Sequence, residues 1–202
     1  MASNRNLRRR IKSITNTAKI TKAMQMVASS KMRRAQQAAL AGRPYALLMS
    51  RVLGEVLADS GEFSHPLMEP REVKKRAVIV VTSDKGLCGA LNSNLLREAA
   101  KLDVSRTQFV TAGRRGSQFI ARTRRQLAAE FTYSDTPQFA EARAISQFAQ
   151  DMFLKGEVDE VDVLFTRFIN TISQTPMLLP LLPVTTIRDI RVGVAQQTVT
   201  EE

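Results

Sequence analysis

The sequence predicts an α/β fold in two parts: a long N-terminal coiled-coil helix, and a globular domain built on a largely parallel sheet. Three observations carry that expectation. The first is charge. Residues 1–54 contain 12 Lys/Arg and no acid, Glu55 being the first; the other 148 residues carry 18 bases and 19 acids. The formal net charge of +11 therefore sits on a basic N-terminal segment joined to a near-neutral remainder. The second is a heptad pattern confined to that segment. The third is an alternation of short apolar runs with helical periods beyond residue 75. At 44% hydrophobic and 24% charged residues, the chain can bury a core, which excludes wholesale disorder.

Residues 4–58 read as one helix, with two glycines and a first proline at Pro44. A strict heptad places Leu7, Ile14, Thr21, Ala28 and Ala35 at one seam position, and Ile11, Ala18, Gln25, Met32 and Ala39 at the other. Eight of these ten are apolar and none is Lys or Arg, the pattern of a coiled-coil seam whose small residues admit a close partner. Pro44 is expected to kink the helix. Beyond it, Tyr45, Leu48, Val52 and Val56 form a broader apolar face. Ile20, Met24 and Val27 add a second stripe, which fits either a core helix or a helix sleeved by other subunits.

A linker loop is expected over 59–75, with Gly61, His65, Pro66 and Pro70. The α/β domain is then expected over 76–192. Ala77–Val81 is a continuous β-branched run, as in a strand buried on both faces. A small-residue turn, Ser83 to Gly89, leads into a helix over Leu91–Leu102. Gln108–Thr111 reads as a strand, Gly116–Arg124 as a short helix and Leu127–Tyr133 as a third strand. Thr136-Pro137 has the form of an N-cap followed by proline at the first helical position, opening a helix that ends at Gly156. Val161–Phe168 and Met177–Val184 complete a Rossmann-like α/β domain, and 193–202 form a polar tail.

The single cysteine, Cys88, excludes an internal disulfide and a cysteine-rich metal site. No signal-peptide pattern is visible, because bases recur through the first 34 positions. The longest uncharged run, Phe168 to Ile187, holds Pro176, Pro180 and Pro183, which a spanning helix does not tolerate. Membrane association is thus expected only at the periphery or through a partner. Ser83 to Gly89 follows a strand and precedes a helix, yet its spacing matches neither phosphate-binding glycine pattern; a structural turn is favoured over a phosphate site. Cys88 has no evident histidine partner for nucleophilic chemistry, and no cofactor is expected.

A helix of about 50 residues is roughly 75 Å long, whereas a compact domain of about 145 residues has a radius of gyration of roughly 15 Å. The seam therefore needs a partner helix, and no other segment of this sequence is long enough to supply one.

At this point several motifs resemble a known family. Arg10-Ile11-Lys12-Ser13-Ile14 and Thr17-Ala18-Lys19-Ile20-Thr21-Lys22-Ala23-Met24-Gln25-Met26-Val27-Ala28-Ser29-Ser30-Lys31-Met32 closely resemble the N-terminal helix of the γ-subunit family of rotary, F-type, proton-translocating ATP synthases. Arg43-Pro44-Tyr45, the turn Ser83 to Gly89 with Leu91-Asn92, and Phe168-Ile169-Asn170-Thr171 leading to Leu181-Leu182-Pro183 match in order. The resemblance implies a non-catalytic rotor subunit of the central stalk. Its shaft helix turns inside a ring of three α and three β subunits, and its domain sits beside the ε subunit and the membrane c-ring. It couples proton flow to ATP synthesis at the β subunits, peripherally on the cytoplasmic side of the cell inner membrane.

The resemblance further implies a shaft-and-sleeve interface at Leu7, Ile11, Ile14, Ala18, Ile20, Lys22, Met24, Met26, Val27, Ala28, Met32, Arg33 and Arg34, with an acidic β segment near Met24. It implies a second subunit interface at Asp84, Lys85, Gly86 and Cys88 of the turn. The family's shaft also uses a long C-terminal helix, which this sequence, ending at Glu202, does not contain. The chloroplast cysteine-pair insertion is absent, so thiol switching is not expected, and with no transit-peptide pattern a bacterial source is expected.

Two other functions compete. A basic helix could dock on nucleic acid, but a seam of small apolar residues is not needed for that. A nucleotide-dependent α/β enzyme would need a triad, metal cluster or phosphate loop, none of which the spacing provides.

Overall fold

The computed structural model describes residues 4–59, 65–134 and 137–184. The chain divides into two compact units, Met1–Ala46 and Leu47–Glu202. Helix α1 runs unbroken over Asn4–Asp59 with Pro44 inside it. Its first glycine is Gly42, and Ala, Arg, Lys, Gln and Met, all strong helix formers, dominate it. Every side chain from Asn4 to Gly42 is exposed.

The sheet contains β1 (Arg76–Val81), β2 (Thr107–Ala112), β3 (Leu127–Phe131), β4 (Glu160–Phe168) and β5 (Gln174–Leu182). Their spatial order is β3-β2-β1-β4-β5. β1 is central and pairs in parallel with β2 and β4; β2 pairs in parallel with β3, and β5 returns antiparallel to β4. The apolar run of β1 is explained by this position, because a strand with two parallel neighbours and helices on both faces has no solvent side.

Alternate residues of each strand serve opposite faces. Ala77, Ile79, Val110 and Val161 pack with Ala149, Met152 and Phe153 of α4 (Phe139–Leu154). Val78, Val80, Phe109 and Leu164 pack on the other face with Leu95 and Ala99 of α2 (Leu91–Lys101) and Ile120 of α3 (Arg114–Arg122). The order of connections keeps β1, and the turn that follows it, in the middle of the sheet's carboxyl end.

Several boundaries differ from the sequence expectation. α3 starts at Arg114 rather than Gly116, because the Asp84 carboxylate accepts from the Arg114 amide at 2.9 Å and caps the helix there. β3 stops at Phe131, and Tyr133 turns instead to donate its hydroxyl to the Thr82 carbonyl. α4 starts at Phe139 with Gln138 as N-cap, not at Pro137. Glu141 decides this: its carboxylate accepts from the Gln138 amide at 2.7 Å and from the Ser134 amide at 2.9 Å. Thr136, the expected cap, lies outside the described residues.

β5 covers Gln174–Leu182 rather than Met177–Val184, since it forms a hairpin with β4 whose turn is closed by Asn170 Oδ1 accepting from Ile172 N and Ser173 N. Pro176 and Pro180 are tolerated because β5 is an edge strand. Residues 185–192 and the expected tail at 193–202 lie outside the described residues. Of the segment expected as a linker, residues 65–75 are tied down. Asp159 accepts from the Lys74 and Lys75 amides at 2.9 Å each, and Arg71 donates to the Phe153 carbonyl at 2.8 Å.

Candidate subunit interface

The α1 seam is open. Leu7, Ile11, Ile14, Ile20, Met24, Met26, Val27 and Met32 are each between 50% and 68% exposed, a density of bare apolar side chains unusual on a soluble helix. Ala18, Lys22, Ala28, Arg33 and Arg34 are exposed as well. Thr21, the polar member of the seam, donates its hydroxyl to the Ala18 and Thr17 carbonyls at 3.0 Å, and Thr15 and Thr17 bond back to Ile11 and Ser13 at 2.9 and 3.0 Å. These hydroxyls are satisfied on their own helix, so Thr21 brings no unmet hydrogen bond to the seam. The chemistry on offer is apolar packing flanked by guanidinium and ammonium groups, with no acid before Glu55.

The second set of residues lies in the turn after β1, in the other unit. Its polar groups are largely used internally. Ser83 N donates to Asn92 Oδ1 at 3.2 Å, Asn92 Nδ2 donates to Ser83 Oγ at 2.8 Å and to Cys88 Sγ at 3.2 Å, and Ser83 Oγ donates to the Lys85 carbonyl at 2.6 Å. The Ser83 carbonyl accepts from Arg115 N at 3.3 Å. A phosphate cradle needs free backbone amides converging on one point, whereas here the Ser83 amide is already bonded. The turn presents outward Lys85, Gly86 and Leu87, the last 95% exposed at a positive φ of 62°. The structure thus brings Asp84, Lys85, Gly86 and Cys88 together on one rigid turn, and the α1 residues together on one helix.

Three residues that support this turn are not singled out by the sequence alone. Thr82 Oγ1 accepts from Gly116 N at 2.8 Å and donates to the Gly113 carbonyl at 3.1 Å. Gly113 has φ 106°, and a Cβ there would lie 2.1 Å from the Thr82 carbonyl oxygen. Tyr133 closes the cluster; burial, then the Asp84 charge, push its hydroxyl above the ordinary tyrosine range. A glycine between an apolar strand and a helix is the sequence signal that marks such a close approach.

At the opposite, amino end of the sheet, Asp162 is buried beside Arg76 at 3.5 Å, and the same guanidinium bonds Glu160 at 2.8 Å. Burial, then repulsion from Glu160, raise the Asp162 carboxyl to about 6, against the pull of Arg76. Among the described residues no group of three or more His, Cys, Asp or Glu could hold a metal ion, and no helix is long and apolar enough to cross a membrane.

A basic helix with an exposed heptad seam, in one chain with a five-stranded α/β domain, sets the frame for comparison with known proteins. The family model described as ATP synthase matches residues 3–202. The ATP synthase gamma chain of Opitutus terrae is 51% identical over 183 residues, and that of Desulforamulus reducens 44% identical over 196 residues. The chain belongs to the ATP synthase gamma-chain family. The two gamma-chain alignments cover 91% and 96% of this chain, which spans 62% and 69% of the length of those relatives. In solved structures, the chain is similar to one in the cryo-EM structure of the Tetrahymena thermophila mitochondrial ATP synthase central stalk and c-ring. That match has a TM-score of 0.65 and 27% identity, and covers 81% of this chain and 72% of the other. The long helix and largely parallel sheet match the fold of that central-stalk structure.

Proposed function

We propose that this chain is a rotor component of an F-type ATP synthase central stalk, with α1 forming one helix of the shaft and the α/β domain its base. The observation that carries the proposal is the α1 seam: a long helix with no acid before Glu55, whose heptad residues are exposed and whose Leu7, Ile11, Ile14 and Met32 are half or more exposed, has no use for that surface unless other chains enclose it. Leu7, Ile11, Ile14, Ala18, Ala28 and Met32 are then the contact with a partner helix. Ile20, Met24, Met26 and Val27 slide within the α3β3 sleeve, and Lys22, Arg33 and Arg34 face acidic β-subunit residues. Asp84, Lys85, Gly86 and Cys88 form a contact at the base, with the ε subunit and c-ring as the neighbours there. In this reading residues 1–58 are the shaft helix, 59–75 the linker and 76–192 the base domain.

The chain performs no chemistry in this reading. It transmits torque between proton flow through the membrane sector and the nucleotide sites of the β subunits, and is held peripherally on the cytoplasmic side of the cell inner membrane through the complex. A rigid transmission element needs a stiff helix and a base whose contact turn does not yield. The internally bonded Ser83–Asn92–Cys88 network provides the latter.

The test is single-molecule rotation. A gold particle is attached through a biotin-acceptor peptide inserted at the exposed Lys155–Gly156 turn of a chain completed by the second long shaft helix that its seam requires, on an α3β3 ring fixed to glass and supplied with MgATP. Unidirectional rotation is the expected result. A chain that binds the ring while the particle stays still, or that fails to bind at all, overturns the proposal.

A further inference from the structure

Helix α3 carries a charged surface beside the turn assigned to the base contact, the Arg115 guanidinium lying against Gly86, and the shaft reading gives that surface no role of its own. Residues 104–129 contain six arginines, no lysine and no acid. Arg125 is engaged within the domain. Its guanidinium caps α2 by donating to the Ala99, Ala100 and Leu102 carbonyls, and it lies over the Phe109 ring. Arg114, Arg115, Arg122 and Arg124 are exposed and, among the described residues, none of them pairs with a carboxylate. Gly116, Ser117 and Ile120 face the core, so the helical period puts Arg115, Gln118 and Arg122 on the opposite, solvent-facing ridge.

Three local rules are broken here in the same direction. Arg114 and Arg115 occupy the first turn, where the helix dipole disfavours cations. No acid lies three or four residues from any of these arginines within the helix to offset them. Arg124 follows the helix at φ 54°, a left-handed conformation in which glycine is the favoured residue. The acids that reach α3 from neighbouring elements are engaged with other groups: Asp84 on the Arg114 amide at 2.9 Å, and Glu130 of β3 on the Ser117 hydroxyl at 2.7 Å. A sequence that departs from local consistency repeatedly on one surface marks that surface as functional.

We propose that the outer ridge of α3, centred on Arg115, Arg122 and Arg124, docks an acidic protein segment. Arginine in place of lysine at every position favours planar, bidentate pairing with carboxylates. Arg115 and Arg122 are seven residues apart, roughly 10 Å along the helix, the same interval as acids two turns apart on a partner helix. An anionic membrane surface fits less well, since helices that lie on bilayers insert apolar side chains beside their basic ones. The apolar residues of α3, Phe119 and Ile120, are half-buried and buried in the core.

Arginine footprinting on the full chain tests the proposal residue by residue, so that the basic α1 does not obscure the result. Phenylglyoxal modification is followed by mass spectrometry with and without a decaglutamate peptide, with exposed Arg97 of α2 as internal reference. The peptide is expected to slow modification of Arg115 and Arg122 by about tenfold relative to Arg97, the factor corresponding to one charge-assisted contact. In the surface double variant Arg115→Gln, Arg122→Gln, protection of Arg124 is expected to disappear. Equal protection of Arg97 and the ridge overturns the proposal. So does stronger protection by vesicles of equal parts phosphatidylglycerol and phosphatidylcholine, which would assign the ridge to a membrane surface.

Discussion

Asp162→Asn isolates the energetic effect of one buried charge. Asp162 is 3% exposed within β4, and the Arg76 guanidinium at 3.5 Å is shared with Glu160 at 2.8 Å. Burial and Glu160 raise the Asp162 carboxyl from 3.8 to about 6. The native protein therefore holds this proton more tightly than the unfolded chain. The group's favourable contribution is complete below 3.8 and is lost as the pH rises through about 6. At roughly 1.4 kcal/mol per pH unit, a rise of about two units corresponds to an upper figure of about 3 kcal/mol at neutral pH. Asparagine keeps the shape, removes the charge and leaves Glu160 on Arg76.

The variant is expected to be more stable than the parent by up to about 3 kcal/mol near pH 8, with the difference shrinking towards zero as the pH approaches 4. Urea unfolding followed through the near-ultraviolet dichroism of Tyr133, over a series of pH values, measures this. Asp103, Glu141 and Asp159 are pulled below their ordinary range, mainly by hydrogen bonds from Ser105, Gln138 and Lys75, and tilt both proteins' stability the opposite way. The difference between the two proteins removes that common slope. A variant no more stable than the parent near pH 8, or a pH-independent difference, refutes the reasoning.

Gly113→Ala places a methyl 2.1 Å from the Thr82 carbonyl oxygen at φ 106°, and is expected to destabilise the domain by about 3 kcal/mol or more in urea unfolding. Arg124→Gly relieves a left-handed residue at φ 54° and is expected to stabilise the domain by about 1 kcal/mol in the same assay. In the isolated full chain, amides of residues 4–40 are expected to exchange rapidly while those of Val78–Val80 are protected, because a single helix gains most of its stability from packing that α1 lacks alone. Strong protection of residues 4–40 in a verified monomer contradicts this.

The elements with a pure periodic signal are legible in the sequence. The pattern predicts a helix over 4–58, which runs to Asp59, and the β-branched run at 77–81 is the central strand. What periodicity does not carry is set by tertiary contacts. The start of α3 depends on Asp84, thirty residues away in sequence. The end of β3 depends on Tyr133 reaching Thr82. The start of α4 is misplaced by the sequence because Thr136-Pro137 is a strong local signal, whereas Glu141 supplies the actual cap bond. β5 is placed late because its prolines weaken a strand reading, and only pairing to β4 at an edge accommodates them. The heptad predicts the seam of α1, and the structure leaves its residues exposed on one helix. Asp162 is not, since an acid within an apolar strand gives no hint of its distance from Arg76.

The central claim is that Ala28 and its seam neighbours pack against another helix inside a subunit ring. ATP-driven proton pumping by a complex assembled with α, β and ε subunits, the membrane sector and a full-length rotor that carries the partner helix tests it most directly, with Ala28→Leu compared with Lys22→Glu. Leucine adds three carbons at an exposed seam position without changing charge or helix propensity appreciably. Overpacking of this kind costs about 1–3 kcal/mol, so Ala28→Leu is expected to weaken assembly or coupling at every salt concentration. Lys22→Glu is expected to act through charge, with an effect that fades as salt rises. A fully assembled, proton-coupled complex in which Ala28→Leu is silent would contradict the account.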